Sequence, residues 1–305
     1  MSIGIIRATA DDTERIMKLA QRQYGSLNYD RTLYDADKLR EGIKEEKYRF
    51  WLAEYDNKDA GIVCLKAHPH FTGTFEGCTL TVLPEFRRHG IAKKLSDTMQ
   101  STFDTIRTPS IFYSILTVRT LEEEREFDNG CKPTGFALDR FLFDKTAENL
   151  TAENLPERRH HLFLVLPLDK KQTAKLFIPP ALDNFVKDIY NSMGVKIGET
   201  ETEPAPCETI TYPENRYIEF YGSMPNDIPG DFAANLFLDM TDRRTPGRYQ
   251  KLTRDGWHFT GIKPLQKTAE YIIMHKGGIK AGLDASKTLS AFTTQKEEIR
   301  RLSDA

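Results

Sequence analysis

The chain has 305 residues, 39% of them apolar and 29% charged, with a formal net charge of −2. That length can bury a core in one large or two smaller domains, and the near-neutral balance argues against a global basic field for nucleic acid. No run approaches the roughly 20 apolar residues a membrane-spanning helix needs, and Met-Ser-Ile-Gly-Ile-Ile-Arg does not read as a secretory leader.

In chain order, residues 3–7 read as a strand, after which Thr9 or Asp11 can cap a helix with Ile16, Leu19 and Ala20 on one side. A charge-dense helix is expected over residues 35–45, its apolar positions Leu39 and Ile43. Two strands, residues 49–55 and 60–67, flank Asp56-Asn57-Lys58-Asp59, polar residues that suit a hairpin loop. A third strand, residues 74–82, runs into a basic turn and then a helix to about Ile106. Residues 110–118 predict a further strand, residues 121–128 a short acidic helix, and residues 133–143 another strand.

Next, Thr-Ala-Glu-Asn-Leu at residues 146–150 repeats at once as residues 151–155, too short for a solenoid and expected as a linker to about residue 160. Beyond it the pattern predicts a strand at 162–168 and an amphipathic helix at 181–192 carrying Leu182, Phe185, Val186 and Ile189, closed by Gly194. Strands follow at 216–220 and 232–240, and a helix opens at Thr245-Pro246 with proline at its first turn. Gly256 ends that helix, strands come at 257–262 and 271–275, and residues 287–302 predict a last helix. The four cysteines, Cys64, Cys78, Cys131 and Cys207, show neither a C-x-x-C pair nor a histidine at metal spacing. They suggest reduced thiols in a cytoplasmic protein without a metal, with Cys64 and Cys78 side by side on neighbouring strands.

The segment Leu80-Thr-Val-Leu-Pro-Glu-Phe-Arg-Arg-His-Gly-Ile-Ala-Lys-Lys-Leu95 carries the most chemistry. Its turn should aim unpaired N–H groups and the positive end of a helix dipole at one point, a place for a phosphate. Gly90 lets the backbone approach a ligand closely, Ala92 keeps that approach open, and Arg87, Arg88 and Lys93 add positive charge. Arg87, Gly90 and Ala92 fit the pattern Arg or Gln, two residues, Gly, one residue, Gly or Ala. Pro84-Glu85-Phe86 before it and the face Ile91, Leu95 and Met99 after it extend the match. In these residues the chain resembles the GNAT acyltransferase superfamily, over roughly residues 1–145. The short pattern is weak alone and strong between a strand and a helix.

The resemblance implies an α/β fold with a mixed, mostly antiparallel central sheet flanked by helices. It also implies acetyl-CoA or another acyl-CoA as co-substrate, and a primary amine acceptor, a small molecule or a protein lysine or N-terminus. Backbone groups of Leu80 and Val82 would pair with the pantetheine arm, and the diphosphate would rest on the turn Arg88, His89, Gly90, Ile91, Ala92 and Lys93 beside Arg87. A backbone N–H near Val82 would meet the oxyanion. Glu76, where family members often carry a carboxylate, would be the base; otherwise it is a strand-end carboxylate in water. By simple alternation Glu76, Cys78, Leu80 and Val82 should share one sheet face. His68 and His70 end the preceding strand near the same mouth and read more readily as loop residues.

The family's usual acid, a tyrosine before Gly130, is absent; Glu126 stands there, with Phe127 beside it. Tyr113 is a substitute acid or a core tyrosine, and a thiol leaves tolerably well unassisted. The acceptor would be bound by the first two helices, with Tyr24, Tyr29 and Tyr34 nearby. Residues 161–305 look like a shortened, GNAT-like companion whose Arg243-Arg244-Thr245-Pro246-Gly247-Arg248 lacks the spacing of the first turn. A second function stays open, a CoA-sensing or scaffolding protein without turnover, and so does the oligomeric state, a homodimer included.

Overall fold

The structure is a computed structural model. It describes residues 2–25, 31–67, 74–106, 108–116, 130–142, 158–168, 172–212, 216–222, 228–229, 232–266 and 269–277. Several expectations lie outside these residues: His68, His70, Tyr29, the acidic helix with Glu126 and Phe127, the five-residue repeat and the helix at 287–302.

The described residues form two compact units, one running to Thr108 and the other beginning at Pro109. In the first, Thr9 caps a 3₁₀ turn at Ala10–Asp12: its Oγ accepts the Asp11 N–H, and the Asp12 carboxylate accepts the Thr9 N–H at 2.9 Å. This capping box leads into α1 (Thr13–Tyr24); Asp35 then caps α2 (Ala36–Lys44) through the Lys38 N–H. Strands β1 (Ile3–Arg7), β2 (Tyr48–Tyr55), β3 (Lys58–Ala67) and β4 (Phe75–Val82) follow one another in an antiparallel sheet. Asp56 and Asn57 make the β2–β3 turn with φ of 46° and 63°, the left-handed pair a tight hairpin demands. Helix α3 (Ile91–Gln100) ends six residues before the expected Ile106, and a 3₁₀ turn at Phe103–Thr105 takes over.

The core between α1, α2 and the sheet contains Ile16, Leu19, Leu39, Phe50, Leu52 and Ile62, each at most 2% exposed. Full burial of such a side chain contributes about 2 kcal/mol, far more than any surface ion pair nearby. The other face carries α3 over β3 and β2, with Ile91, Leu95 and Met99 buried as the helical spacing predicts. Cys64 and Cys78 are direct partners across β3 and β4, and all four cysteines are free thiols.

In the second unit the strand order is β5-β7-β6-β11-β12-β10-β9-β8, antiparallel except for β9 beside β10. Here β5 is Ser110–Leu116, β6 Lys132–Leu142 and β7 Arg158–Pro167; β8 is Glu208–Tyr212, β9 Tyr217–Tyr221, β10 Ala233–Asp239, β11 His258–Gln266 and β12 Ala269–Lys276. Among the described residues this unit carries the helices α4 (Asp183–Met193), closed by Gly194 at φ 71°, and α5 (Thr245–Arg254).

The compact units do not follow the expected boundary at residue 145. Strands β5 and β6 group with the later elements, and β7 starts at Arg158, inside the expected linker. The reason is pairing: β7 lies between β5 and β6 and bonds both, with Phe163 facing Ser114 on one side and Gly135 on the other. An apolar run such as Leu162-Phe-Leu-Val-Leu166 shows that it will be buried without showing its partners. Strand β8 also lies where no element was expected.

An internal repeat appears within this unit. The strands β10, β11 and β12 set the last between the first two, as β5, β6 and β7 do. The sets meet where Gly135 of β6 pairs with Gly261 of β11. A Cβ on Gly261 would stand 2.2 Å from the Gly135 Cα, so this approach of two backbones excludes any larger residue.

Candidate active site

Strand β4 is not regular. Cys78 pairs with Cys64 and Thr81 with Ile62, so Thr79 and Leu80 together oppose Val63 in a β-bulge. Thr79 sits at φ 54°, a conformation a β-branched residue avoids and which occurs here at the kink. The extra residue breaks the expected alternation. Glu76, Cys78 and Thr81 share the face of Ile62 and Cys64, toward α1 and α2, whereas Val82, paired with Gly61, is on the opposite face. The expectation that Glu76, Cys78, Leu80 and Val82 face one way is therefore corrected. Tyr24 of α1 confirms the side, its hydroxyl lying 2.5 Å from Thr81 Oγ1. Tyr34 packs against the same core.

Past β4, Pro84 opens a 3₁₀ turn, Pro84–Phe86, and the chain reaches α3 through two left-handed residues, Arg88 at φ 64° and Gly90 at φ 78°. These angles turn successive N–H groups to one side, an anion-binding nest. Among the described residues, no acceptor takes the N–H groups of Arg88, His89, Gly90, Ile91, Ala92 or Lys93; the first paired amide is that of Lys94, bonded to Gly90 O at 3.1 Å. Among the described residues nothing else supplies a counter-charge. Gly90, the N-cap, has no side chain, and the first turn of α3 contains no acidic residue, unlike α1, α2 and α4. A Cβ on Gly90 would meet nothing within 4 Å, so the space in front of the turn is open.

The basic side chains divide the work differently from what the sequence suggests. Arg87 folds back, its Nε donating to Val82 O at 3.1 Å and its Nη2 to Gln23 Oε1 at 3.4 Å, so it braces the turn on β4 and α1. That bond occupies one lone pair of the Val82 carbonyl and leaves the other for a ligand. Lys93 is held by Asp97 at 2.5 Å and His89 packs on Tyr55 with ring centres 4.8 Å apart. Arg88 has no partner among the described residues and is exposed. Ile91 is 1% exposed and pins the helix start to the core, while Ala92 is half-buried and leaves room above it.

Glu76 is half-buried on β4, across from Lys66 of β3. Tyr113 is on β5 in the second unit, 4% exposed. No group of three metal-ligating side chains occurs among the described residues, and no helix among them is long and apolar enough to cross a membrane.

Residues 13–107 match the model of the Acetyltransferase (GNAT) family. No curated protein matches the chain in sequence. Among solved structures, an N-acetyltransferase from Staphylococcus aureus superposes with a TM-score of 0.45 at 12% identity, over 55% of this chain and 100% of that one. A GNAT-family acetyltransferase from Streptococcus pneumoniae gives 0.44 at 12%, over 55% and 100%. The PaiA N-acetyltransferase from Thermoplasma acidophilum, in complex with coenzyme A, gives 0.38 at 17%, over 55% and 99%.

Proposed function

We propose that this protein is an N-acyltransferase that passes an acetyl or other short acyl group from acyl-CoA to a primary amine. The observation that carries this reading is the row of unpaired amides from Arg88 to Lys93 at an uncapped helix start, behind a bulged strand. The family match over residues 13–107 supports acyl transfer from CoA in general. The diphosphate would take the amides of the turn and the Arg88 guanidinium, while Arg87 keeps the turn in register with β4. Backbone groups of Leu80 and Val82, redirected by the bulge, would pair with the pantetheine arm.

The chemistry then needs little from side chains. The amine nitrogen attacks the thioester carbonyl carbon, the C–S bond breaks, and the sulfur leaves with the electron pair. A backbone N–H near Val82 would meet the charge on the carbonyl oxygen. Glu76, on the face toward α1 and α2 where the acceptor would bind, takes the amine proton directly or through water. The sulfur gains its proton from solvent, since the thiolate of a thiol of pKa about 8.5 departs without help. Residues 161–305 would be a degenerate companion that holds no CoA.

Isothermal titration with acetyl-CoA, followed by thiol release against a panel of amines, tests this. Binding with turnover is expected, and Arg87→Glu should abolish binding with the fold intact. No heat with any CoA ester would end the reading. A second reading, CoA sensing without turnover, draws on Glu126 standing where the family has its tyrosine. Binding without transfer to any amine would select it.

A further inference from the structure

The first unit has another concavity, of about 470 Å³, between α1, the tip of the β2–β3 hairpin and the Pro84–Phe86 turn. Leu19 and Phe86 form its apolar part. Along α1, Arg15, Lys18 and Arg22 stand three and four residues apart and all line it, and Lys58 faces them from the hairpin. Such a stripe of like charges opposes helix formation by a few tenths of a kcal/mol per pair; Arg15 and Arg22 are answered by carboxylates of the fold and, among the described residues, Lys18 is not.

Two carboxylates, Asp59 and Glu85, also line the cavity, and both are already committed to arginines. Arg15 is surrounded by Asp12 at 2.9 Å, Glu54 at 2.6 Å and Asp59, and these bonds, Asp59 first, raise its pKa. Arg22 is paired with Glu85 at 2.5 Å, and the Glu85 carboxyl, held by its own backbone N–H and then by Arg22, is below its usual range. Lys18 and Lys58 have no partner among the described residues. The cavity therefore presents two unanswered ammonium groups beside a buried leucine and a phenylalanine.

We propose that this cavity binds a small organic anion, a carboxylate or phosphate on an apolar body. The ammonium groups of Lys18 and Lys58 would meet its head and Leu19 and Phe86 its body. The volume is that of ordinary small-molecule sites, and four cationic against two acidic lining side chains favour an anion over a cation. The cavity borders the phosphate turn through Phe86, whose carbonyl lies 3.2 Å from His89 Nδ1, but its lining contains none of the residues Arg87 to Lys93, and the proposal does not depend on the acyl-CoA reading.

The full chain should be titrated with benzoate, phenyl phosphate and, as charge control, benzylamine, by calorimetry and ligand-observed NMR. One of the anions should saturate a single site, with the stronger of the two identifying the head group, and benzylamine should not bind. Lys18→Glu with Lys58→Glu should weaken the anion at least about tenfold, whereas Gly90→Glu should leave it unchanged. If the charge-reversed protein melts early, Lys18→Gln with Lys58→Gln takes its place, with a smaller loss expected. Equal affinity in these variants, loss of binding in Gly90→Glu alone, or no binding of either anion up to about 10 mM would overturn the proposal.

Discussion

Two strands of this chain run into a helix through a double arginine, and only one of the two junctions leaves its amides without an acceptor among the described residues. At the first, β4 reaches α3 through Arg87 and Arg88, and the amides from Arg88 to Lys93 meet no acceptor among the described residues. At the second, β10 reaches α5 through Arg243 and Arg244, and the protein supplies its own anion. The Asp242 carboxylate, 5% exposed, accepts the Arg244 N–H at 2.9 Å and pairs with the Arg244 and Arg248 guanidinium groups at 2.8 and 3.1 Å. The Thr245 N–H goes to Asp242 O at 2.9 Å, and Pro246 has no N–H to offer. Basic residues thus do not distinguish the two junctions. Unpaired amides, a glycine that leaves space before them and the absence of an internal carboxylate do.

Giving the first junction a carboxylate should have the largest effect. Gly90→Glu places one in the open space before the amides and strains the left-handed position. We expect acetyl-CoA affinity to fall at least about 100-fold, near 2.7 kcal/mol, with an unchanged circular dichroism spectrum. Affinity retained within a few-fold would mean that the amides are not the phosphate site. The reverse experiment removes the internal anion of the second junction. Asp242→Ala leaves the Arg244 N–H and two guanidinium groups without their partner and should cost about 2–3 kcal/mol in thermal unfolding. Acetyl-CoA binding should stay as it was, because Pro246 and the bonded Thr245 amide leave no nest there. Gain of a second CoA site in that variant would break the comparison.

The second unit turns a further carboxylate inward. Glu270, 6% exposed, accepts from the Tyr190 hydroxyl and from the Leu265 N–H at 2.6 Å. Desolvation raises its pKa to about 8 despite those bonds. Between the usual carboxylate range and pH 8 the folded chain therefore holds a proton that the unfolded chain has released. The stability this group contributes is complete below that range and is lost as pH rises through about 8. Glu270→Gln should remove this slope and melt higher at pH 8, by about 1–2 kcal/mol. Parallel pH profiles of the two proteins would refute the buried proton. The smallest effect belongs to the bulge. Thr79→Gly relieves the positive φ and should stabilise the chain by about 0.5–1 kcal/mol, with acetyl-CoA affinity within about twofold of the parent.

Much of the first junction was legible in the sequence, since a Pro-initiated turn, a glycine and a short residue before a periodic apolar face act through neighbours a few positions apart. The capping by Thr9, the inward faces of α1 and α3 and the open approach at Gly90 all follow from such local rules. Less legible was the division of labour among the cations: nothing in Arg87-Arg88 says that the first folds back onto the Val82 carbonyl and the second stays free. The bulge escaped as well, because alternation read along β4 is correct only while its register with β3 is uninterrupted.

Residue order alone thus determined the short-range geometry: where helices start, which stripe of each is apolar, and where a backbone can bend left-handed. Tertiary structure decided which strand neighbours which, that Arg158–Pro167 enters between β5 and β6, and that Glu76 parts company with Val82. It also decided that Asp242 is shut in with two arginines and that α1 shares its cations with a hairpin. The physical reason is that turns and caps are paid for within a few residues, whereas strand partners and buried charges are selected by desolvation across the whole fold, and that free energy is not written in any one segment.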